Sequence, residues 1–272
     1  MEPKHKTNRW PQTGLKAGLA LAVGLVLLGW LLNTPPGLLG KADAIGYAVC
    51  HRIDLRSFHL SGRALPLCAR CSGMYLGAML GLAYQATRRP RRSGMPIRSV
   101  QVVLGVFVLA FALDGINSFL SLFPSAPSLY ESQNWLRLVT GSGMGLAIAL
   151  VLYPAFNQTV WRVQDNRPAM ESLGSFGGLL ALMGALILAL LSETPIILYP
   201  LALISAAGVL VLLTIVYTMI WLMVLRRDNT IEQTRQLIWP LVAGFGVALL
   251  QIVLLDLARF TLTGTWEGFH LG

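Results

Sequence analysis

Long apolar segments separated by short polar ones dominate this chain. A helix needs roughly 20 mostly apolar residues to cross about 30 Å of hydrocarbon. Seven segments approach or exceed that length, at 15–32, 72–86, 99–123, 138–156, 173–191, 195–225 and 237–257. The pattern therefore predicts an all-α fold, a polytopic transmembrane bundle of about seven helices.

Three of these segments have features that affect how they cross the membrane. Segment 72–86 holds only about fifteen residues, but an earlier start near Pro66 would lengthen it, since proline is favoured in a first helical turn. Segment 195–225 is longer than a perpendicular span needs, so we expect it to tilt or to begin as interfacial chain around Pro200. Segment 15–32 is expected to be a retained helix, because it is longer than a signal-peptide core and no small-x-small cleavage site follows it.

Composition supports a membrane protein. Of the 272 residues, 55% are hydrophobic and 12% are charged, about half the charged fraction of soluble domains. Intrinsic disorder and a coiled coil are excluded by so many apolar runs with so few charges. We expect a basic cytoplasmic tail at 1–14 and a single membrane domain at 15–272, whose last three helices occupy 173–258.

The net charge of +9 comes from 21 Lys and Arg against 12 Asp and Glu. Such a bias suggests either nucleic-acid binding or a membrane orientation signal. With the N-terminus inside and the C-terminus outside, fourteen of the basic residues fall on the cytoplasmic side and seven on the other. We therefore interpret the charge as orientation in a cell inner membrane, with the lipid bilayer and not a nucleic acid as partner.

The extracytoplasmic loop at 33–71 contains an unusual group of residues. All three cysteines and two of the four histidines lie within 50–71. Thiolate and neutral imidazole are ligands that zinc and other transition metals prefer. We expect a metal site, with zinc as the expected ion, formed by three cysteines and one of two histidines. The candidate ligands are Cys50, His51, His59, Cys68 and Cys71.

Other roles for the cysteines remain open. Cys68 and Cys71 have C-x-x-C spacing, and near a helix N-terminus their pKa values would fall. The chain could then be a thiol-disulfide redox or electron-transfer protein, or two of the cysteines could form a structural disulfide. A third possibility is a non-enzymatic assembly or transport subunit in which the loop is a structural clip.

Arginines in the same loop run against the expected orientation signal. They are Arg52, Arg56, Arg63 and Arg70. A guanidinium is a planar fork that suits carboxylate and phosphate, so these residues suggest an anionic lipid or polyprenyl-phosphate ligand. Internal pairing with Asp43 or Asp54 is the alternative.

Polar residues inside the predicted spans indicate a pocket below this loop. Charged groups in hydrocarbon usually face a cavity or a partner. Asp114 and Arg56 are the candidate catalytic residues, although Asp114 could instead be a buried partner of Arg137 or Arg56. The candidate substrate-binding residues are Arg52, Arg56, Arg70, Arg137, Asn117 and Asn134. We also expect Gln251, Asp256 and Arg259 of the last helix to join the same site. Whether the protein is an enzyme stays open.

Glycines repeat every four residues in two of the predicted helices. Gly73, Gly77 and Gly81 lie in the second, and Gly141 and Gly145 in the fourth. Such spacing lets helices approach closely in lipid, so we expect these glycines to serve helix packing and not a flexible gate.

Several of these motifs together resemble a known family. They are Cys50-His51-Arg52, Arg56-Ser57-Phe58, the Leu65–Gly77 segment with its Cys-Ala-Arg-Cys, Asp114-Gly115, and Asn134-x-x-Arg137-x-x-Thr140-Gly141. The pattern resembles a family of bacterial and archaeal predicted membrane proteins catalogued as domain of unknown function 2085. The resemblance covers roughly residues 45–150 and implies a shared architecture and a shared site, without an activity.

Overall fold

The computed structural model describes residues 13–123 and 129–268. Within these ranges the chain forms eight α-helices, which confirms the predicted all-α helical bundle. They are α1 (Thr13–Asn33), α2 (Gly37–Val49), α3 (Ala69–Arg88), α4 (Arg98–Leu120), α5 (Asn134–Val160), α6 (Leu173–Leu191), α7 (Pro195–Val224) and α8 (Thr234–Thr263). Nearly all of the predicted basic tail and His270 lie outside the described residues.

The seven long helices coincide with the seven predicted segments. Among the described residues, six of them are long and apolar enough to cross a membrane, namely α1 and α4 to α8. Pro200 lies inside α7, which starts at Pro195 and continues to Val224. The alternative of interfacial chain around Pro200 is therefore wrong, and the helix is continuous.

Helix α3 occupies the centre of the bundle and packs most extensively against α5, with further contacts to α7. None of its residues from Ala69 to Leu82 is exposed. A Cβ atom at Gly141 would overlap the Arg70 carbonyl oxygen, and one at Gly77 would overlap that of Ser142. The predicted packing role of these glycines is confirmed, and the helices that they bring together are α3 and α5. Because neighbouring helices surround this part of α3, it needs less apolar surface than a lipid-facing span.

Helix α2 lies in the segment that the apolar pattern left without a helix. Its thirteen residues extend roughly 20 Å, too short to span a bilayer, so a search for long apolar runs misses it. The helix packs against α7 and α8 and buries Ala44 and Tyr47 completely. It ends at Val49, immediately before Cys50.

Four short strands complete the described part of the fold. β1 (His59–Leu60) pairs antiparallel with β2 (Arg63–Ala64) in a small hairpin between α2 and α3. β3 (Arg92–Gly94) follows α3 and pairs in parallel with β4 (Asp165–Pro168), which precedes α6.

Ion pairs reinforce the β3–β4 pair. Arg92 contacts Glu171 at 2.6 Å and Asp165 at 3.6 Å, and Arg89 contacts Glu171 at 2.7 Å. Hydrogen bonds with Arg167 lower the pKa of Asp165 to about 2. Part of the basic cluster that follows α3 is thus neutralised by acidic residues before α6.

Candidate functional site

Three cysteines converge where α2 ends and α3 begins. Cys50 is the residue after α2, Cys68 is the N-cap of α3, and Cys71 lies in the first turn of α3. The Cys68 backbone N–H donates to Cys50 Sγ at 3.4 Å. A Cβ atom at Gly46 would overlap the Pro66 carbonyl oxygen, so the absence of a side chain at Gly46 lets the last turn of α2 lie against the chain entering α3.

The geometry of these cysteines suits a metal ion. Their Sγ atoms all lie within 4.8 Å of one another, and they are the only group of three or more candidate ligands among the described residues. Tetrahedral zinc with bonds of about 2.3 Å places sulfurs about 3.8 Å apart. Cys50 and Cys68 are 5% and 2% exposed, and all three thiols are free of disulfides. Small side-chain movements would bring the sulfurs onto one ion.

Hydrogen bonds among the thiols make their acidities unequal. Those from Cys68 and Cys71 hold the pKa of the Cys50 thiol well below its ordinary value, and the nearby His51 also lowers it. The hydrogen bond to Cys50 raises the pKa of Cys68 to about 12, and burial contributes to that increase. The Cys50 thiol is therefore more acidic than the Cys68 thiol.

The two candidate histidines stand apart from the sulfur group. His59 lies on β1 and its Nε2 contacts Asp54 Oδ1 at 3.0 Å, in an exposed position. His51 follows Cys50, but its Nδ1 accepts a hydrogen bond from the Ile53 N–H at 3.1 Å. Burial lowers the pKa of His51, which favours the neutral ring. In that neutral ring the other nitrogen, Nε2, carries the proton, so His51 would have to rotate or lose that proton before it could bind a metal.

Arg70, between Cys68 and Cys71, forms an ion pair with Asp114 of α4, in which the carboxylate is buried and the guanidinium is partly buried. Its Nε donates to Asp114 Oδ2 at 3.1 Å, and its NH2 group contacts the same oxygen and the Asp114 backbone carbonyl. Asp114 also accepts from the Tyr130 hydroxyl at 2.9 Å and the Thr140 hydroxyl at 3.3 Å. The partner of Asp114 is thus Arg70, not the predicted Arg137 or Arg56.

Arg56 and Arg137 meet the C-terminal turn of α4. Arg137 is 6% exposed and donates to Asn134 Oδ1 at 2.9 Å and to the Ser118 hydroxyl at 3.3 Å. Arg56 donates to the Ser121 hydroxyl at 3.3 Å. No carboxylate forms an ion pair with either guanidinium within the described part of the chain. Burial lowers the pKa of Arg56, and the charge of Arg70 lowers it further.

The candidate asparagines hold the segments around these arginines. Asn134 donates to the carbonyl oxygens of Leu55 and Ser57, which flank Arg56. Asn117 donates to the Tyr130 carbonyl and accepts from the Leu129 N–H. Through these hydrogen bonds, the two asparagine side chains hold the loop segments around Arg56 and Tyr130 in place. Tyr130 was missed by the sequence analysis, because a single tyrosine beyond a turn carries no pattern.

Arg52 lies outside the group formed by Arg56, Arg70 and Arg137. It contacts Asp43 of α2 at 3.0 Å and donates to the Trp266 carbonyl at 3.1 Å. Arg63 pairs with the same Asp43. Internal pairing, the alternative raised for the loop arginines, therefore describes Arg52 and Arg63.

The polar residues of α8 lie apart from the Asp114 group. Asp256 accepts a hydrogen bond from the Trp30 indole at 3.1 Å, and Gln251 accepts one from the Tyr217 hydroxyl at 2.6 Å. Arg259 donates to the carbonyl oxygens of Tyr47 and Cys50, both at 2.6 Å. The expectation of one polar site is therefore wrong for Asp256 and Gln251, whereas Arg259 does contact the segment that contains Cys50. The Asp114 group lies among α3, α4 and α5, whereas Asp256 lies between α1 and α8.

Comparisons with known proteins cover the segment that carries the cysteines and the arginine group. A family profile described as "Predicted membrane protein (DUF2085)" matches residues 50–151. An uncharacterized protein of Methanothermobacter thermautotrophicus is 33% identical over 102 residues, which are 37% of this chain and 82% of that protein. One from Methanocaldococcus jannaschii is 26% identical over 120 residues, 44% of this chain and 70% of that protein. No solved structure gives a significant match. The chain therefore belongs to the family of predicted membrane proteins known as domain of unknown function 2085.

Proposed function

We propose that this membrane protein binds a transition metal, zinc first among them, through Cys50, Cys68 and Cys71, beside an arginine pocket for an anionic group. The observation that carries the proposal is the convergence of three sulfur atoms within 4.8 Å of one another. Thiolates are the ligands that select zinc and other soft or borderline ions. The pocket is formed by Arg56, Arg70 and Arg137.

The balance of charge supports an anionic ligand. A zinc ion with three thiolates carries one net negative charge, and Asp114 adds a second. The three guanidiniums of the arginine pocket carry three positive charges, so one positive charge remains without a counter-ion. Since Arg137 is 6% exposed and a buried unpaired charge is expensive, a bound anion would complete the site.

We assign phosphate to that ligand, carried on a lipid or polyprenyl chain. Guanidinium groups bind phosphate oxygens through paired hydrogen bonds, and the pocket adjoins helices that are apolar enough to cross a bilayer. Three cysteines leave one tetrahedral position for a non-cysteine ligand, which is the arrangement of catalytic zinc sites. A metal with such a position polarises phosphoryl oxygens, so the proposal extends to metal-assisted chemistry on this ligand.

The contacts of Asp114 support a positioning role for this residue. Its carboxylate accepts from Arg70, Tyr130 and Thr140. An acid or base in a reaction needs an oxygen free to exchange a proton with substrate. Asp114 instead fixes the direction of Arg70, and through it the helical turn that contains Cys71.

Metal analysis of the purified protein tests the first half of the proposal. We expect one zinc per chain in detergent after supply with zinc and desalting, and less than about a tenth of that after Cys50→Ser, Cys68→Ser or Cys71→Ser. His59→Ala is the matched control, because His59 is a candidate ligand outside the sulfur group, and it should retain the metal. Wild-type protein without stoichiometric metal, or a Cys68–Cys71 disulfide in the isolated protein, would overturn the assignment, and the disulfide would favour thiol redox chemistry.

Thermal shift with a defined lipid tests the second half. Short-chain phosphatidic acid should raise the melting temperature of the zinc-loaded protein, whereas the matching diacylglycerol should not. Arg137→Gln and Arg56→Gln should each abolish the shift, while Arg235→Gln, at an exposed arginine of α8, should preserve it. Equal shifts for wild type and Arg137→Gln would contradict the pocket.

A further inference from the structure

A second site lies between α1 and α8, which supply no cysteine. The two helices enclose a cavity of about 660 Å³. Its polar and aromatic lining comprises Trp30, Asn33, Thr34, Asp256, Phe260 and Trp266. Both helices are long and apolar enough to cross a membrane, and the cavity lies between their C-terminal halves.

Asp256 is the chemically distinctive group in this cavity. The residue is 4% exposed. One carboxylate oxygen accepts from the Trp30 indole at 3.1 Å, and the other is buried without a hydrogen-bond partner among the described residues. Arg259, one turn further along α8, directs its guanidinium to the backbone carbonyls of Tyr47 and Cys50. The charge of Arg259 acts on Asp256, and the unpartnered carboxylate oxygen can accept a hydrogen bond from a ligand in the cavity.

The residues that line the cavity change from aliphatic at one end to aromatic and charged at the other. At one end, Val26 of α1 and Leu250 and Val253 of α8 present aliphatic side chains. At the other end, the helices present Trp30 and Phe260 together with Asp256. Aromatic faces attract ammonium groups, and the aliphatic end suits an acyl chain. This order, from apolar chain to charged head, matches the shape of a lipid.

Lys41 of α2 adds the complementary charge. Its Nζ lies 5.9 Å from the centre of the Trp30 ring and donates to the Thr34 carbonyl and hydroxyl. Thr34 also lines the cavity. An acidic and a basic group therefore both contact the Trp30 indole. A headgroup that carries a phosphate and an ammonium would place its phosphate near Lys41 and its ammonium near Asp256.

We propose that the cavity between α1 and α8 binds the zwitterionic headgroup of an aminophospholipid, with Asp256 as counter-ion of the ammonium and Lys41 near the phosphate. No cysteine lines this cavity, although Arg259 of α8 links the neighbouring chain to the Cys50 carbonyl.

Lipid-dependent melting in detergent tests the proposal with phosphatidylethanolamine, phosphatidylglycerol and free ethanolamine as probes. Phosphatidylethanolamine should stabilise the wild-type protein with at least tenfold higher apparent affinity than phosphatidylglycerol. Asp256→Asn should lose that preference, while Asp228→Asn, at an exposed acidic residue, should keep it. Equal affinity for the two lipids, an unchanged preference in Asp256→Asn, or an equal response to ethanolamine alone would overturn the proposal.

Labelling of the wild-type protein gives a test that needs no variant to fold. A hydrophobic carbodiimide reacts with carboxyl groups in apolar surroundings, and peptide mass spectrometry reports modification at Asp256. We expect phosphatidylethanolamine to slow this modification several-fold and phosphatidylglycerol to leave it unchanged. Equal protection by both lipids, or by neither, would refute the headgroup assignment whether or not the protein binds zinc.

Discussion

Arg70 and Asp114 connect the cysteine motif to α4 through both side chain and backbone: the guanidinium contacts the Asp114 carboxylate at 3.1 Å and its backbone carbonyl at 3.0 Å. Because Arg70 lies between Cys68 and Cys71, the pair fixes how the first turn of α3 is rotated. Asp114 is 1% exposed. A structural ion pair and the candidate metal site thus share one helical turn.

Breaking this pair from one side should be strongly destabilising. Asp114→Ala leaves the partly buried Arg70 guanidinium without its carboxylate, which should cost about 3 kcal/mol, the lower end for a buried pair. The double variant Arg70→Met with Asp114→Leu should recover most of that loss, because it removes both charges. Chemical denaturation in mixed micelles measures the difference. A double variant no more stable than Asp114→Ala would show that the ion pair is not the main stabilising contact.

Gly46→Ala should weaken metal binding without touching a ligand. The new methyl group would overlap the Pro66 carbonyl oxygen and push the end of α2, and with it Cys50, away from Cys68. We expect at least a tenfold loss of zinc affinity in competition with a chelator. Gly18→Ala in α1 is the control, because nothing lies within 4 Å of its added carbon. Equal affinities in both variants would argue against the close approach.

Gly141→Ala should destabilise the contact between α3 and α5. Its methyl group would overlap the Arg70 carbonyl oxygen, and such overpacking costs about 1 to 3 kcal/mol. At Gly105 of α4 an added carbon meets nothing within 4 Å, so Gly105→Ala should leave the melting temperature unchanged or higher. Similar melting temperatures for the two variants would count against a tight α3–α5 interface.

Arg137→Met should separate function from stability. The substitution removes a buried charge that no carboxylate of the described chain pairs with, so the free energy of unfolding should stay within about 1 kcal/mol of wild type or rise. Phosphatidic acid should no longer stabilise the variant. A loss of more than about 3 kcal/mol would assign Arg137 to folding instead of ligand binding.

Acid should weaken the β3–β4 region through Asp165. Its pKa falls from the ordinary 3.8 to about 2 because Arg167 hydrogen-bonds to it. A carboxylate with a lowered pKa stabilises the folded state above its ordinary pKa, and that contribution disappears as the pH falls towards the folded value. The difference in melting temperature between wild type and Asp165→Asn should therefore be constant above about pH 5 and shrink below about pH 4. A difference that grows on acidification would contradict this account.

The long helices were predictable, because each lipid-facing span needs mostly apolar residues over some twenty positions. Grouping Cys50, Cys68 and Cys71 was also possible, since only their types and spacing were needed. The partner of Asp114 could not be predicted. Arg56, Arg70 and Arg137 are equally plausible partners until the rotation of α3 relative to α4 is known. Helix α2 was missed because it is buried within the protein and too short to span a bilayer.

His59 and Asp256 illustrate the other limits of the sequence. A histidine nine residues from a cysteine looks like a ligand, but the β1–β2 hairpin carries His59 to Asp54. Asp256 and Asp114 both sit towards the same predicted side of the membrane, and only the packing of α1 against α8 shows that they belong to different sites. The sequence allows a prediction of how deep a residue lies in the membrane, whereas the position of that residue around the helix bundle depends on helix packing.

The enclosure of α3 also has a consequence for biosynthesis. The ribosome produces α3 before α5 and α7, the helices that surround it, yet α3 is absent from the six described helices that are apolar enough to cross a membrane unaided. We therefore expect α3 to stay within the protein-lined insertion machinery until α5 emerges and the two enter the lipid together. The first turn of α3, with Cys71 in it, would then reach its final position only after most of the chain has been translated.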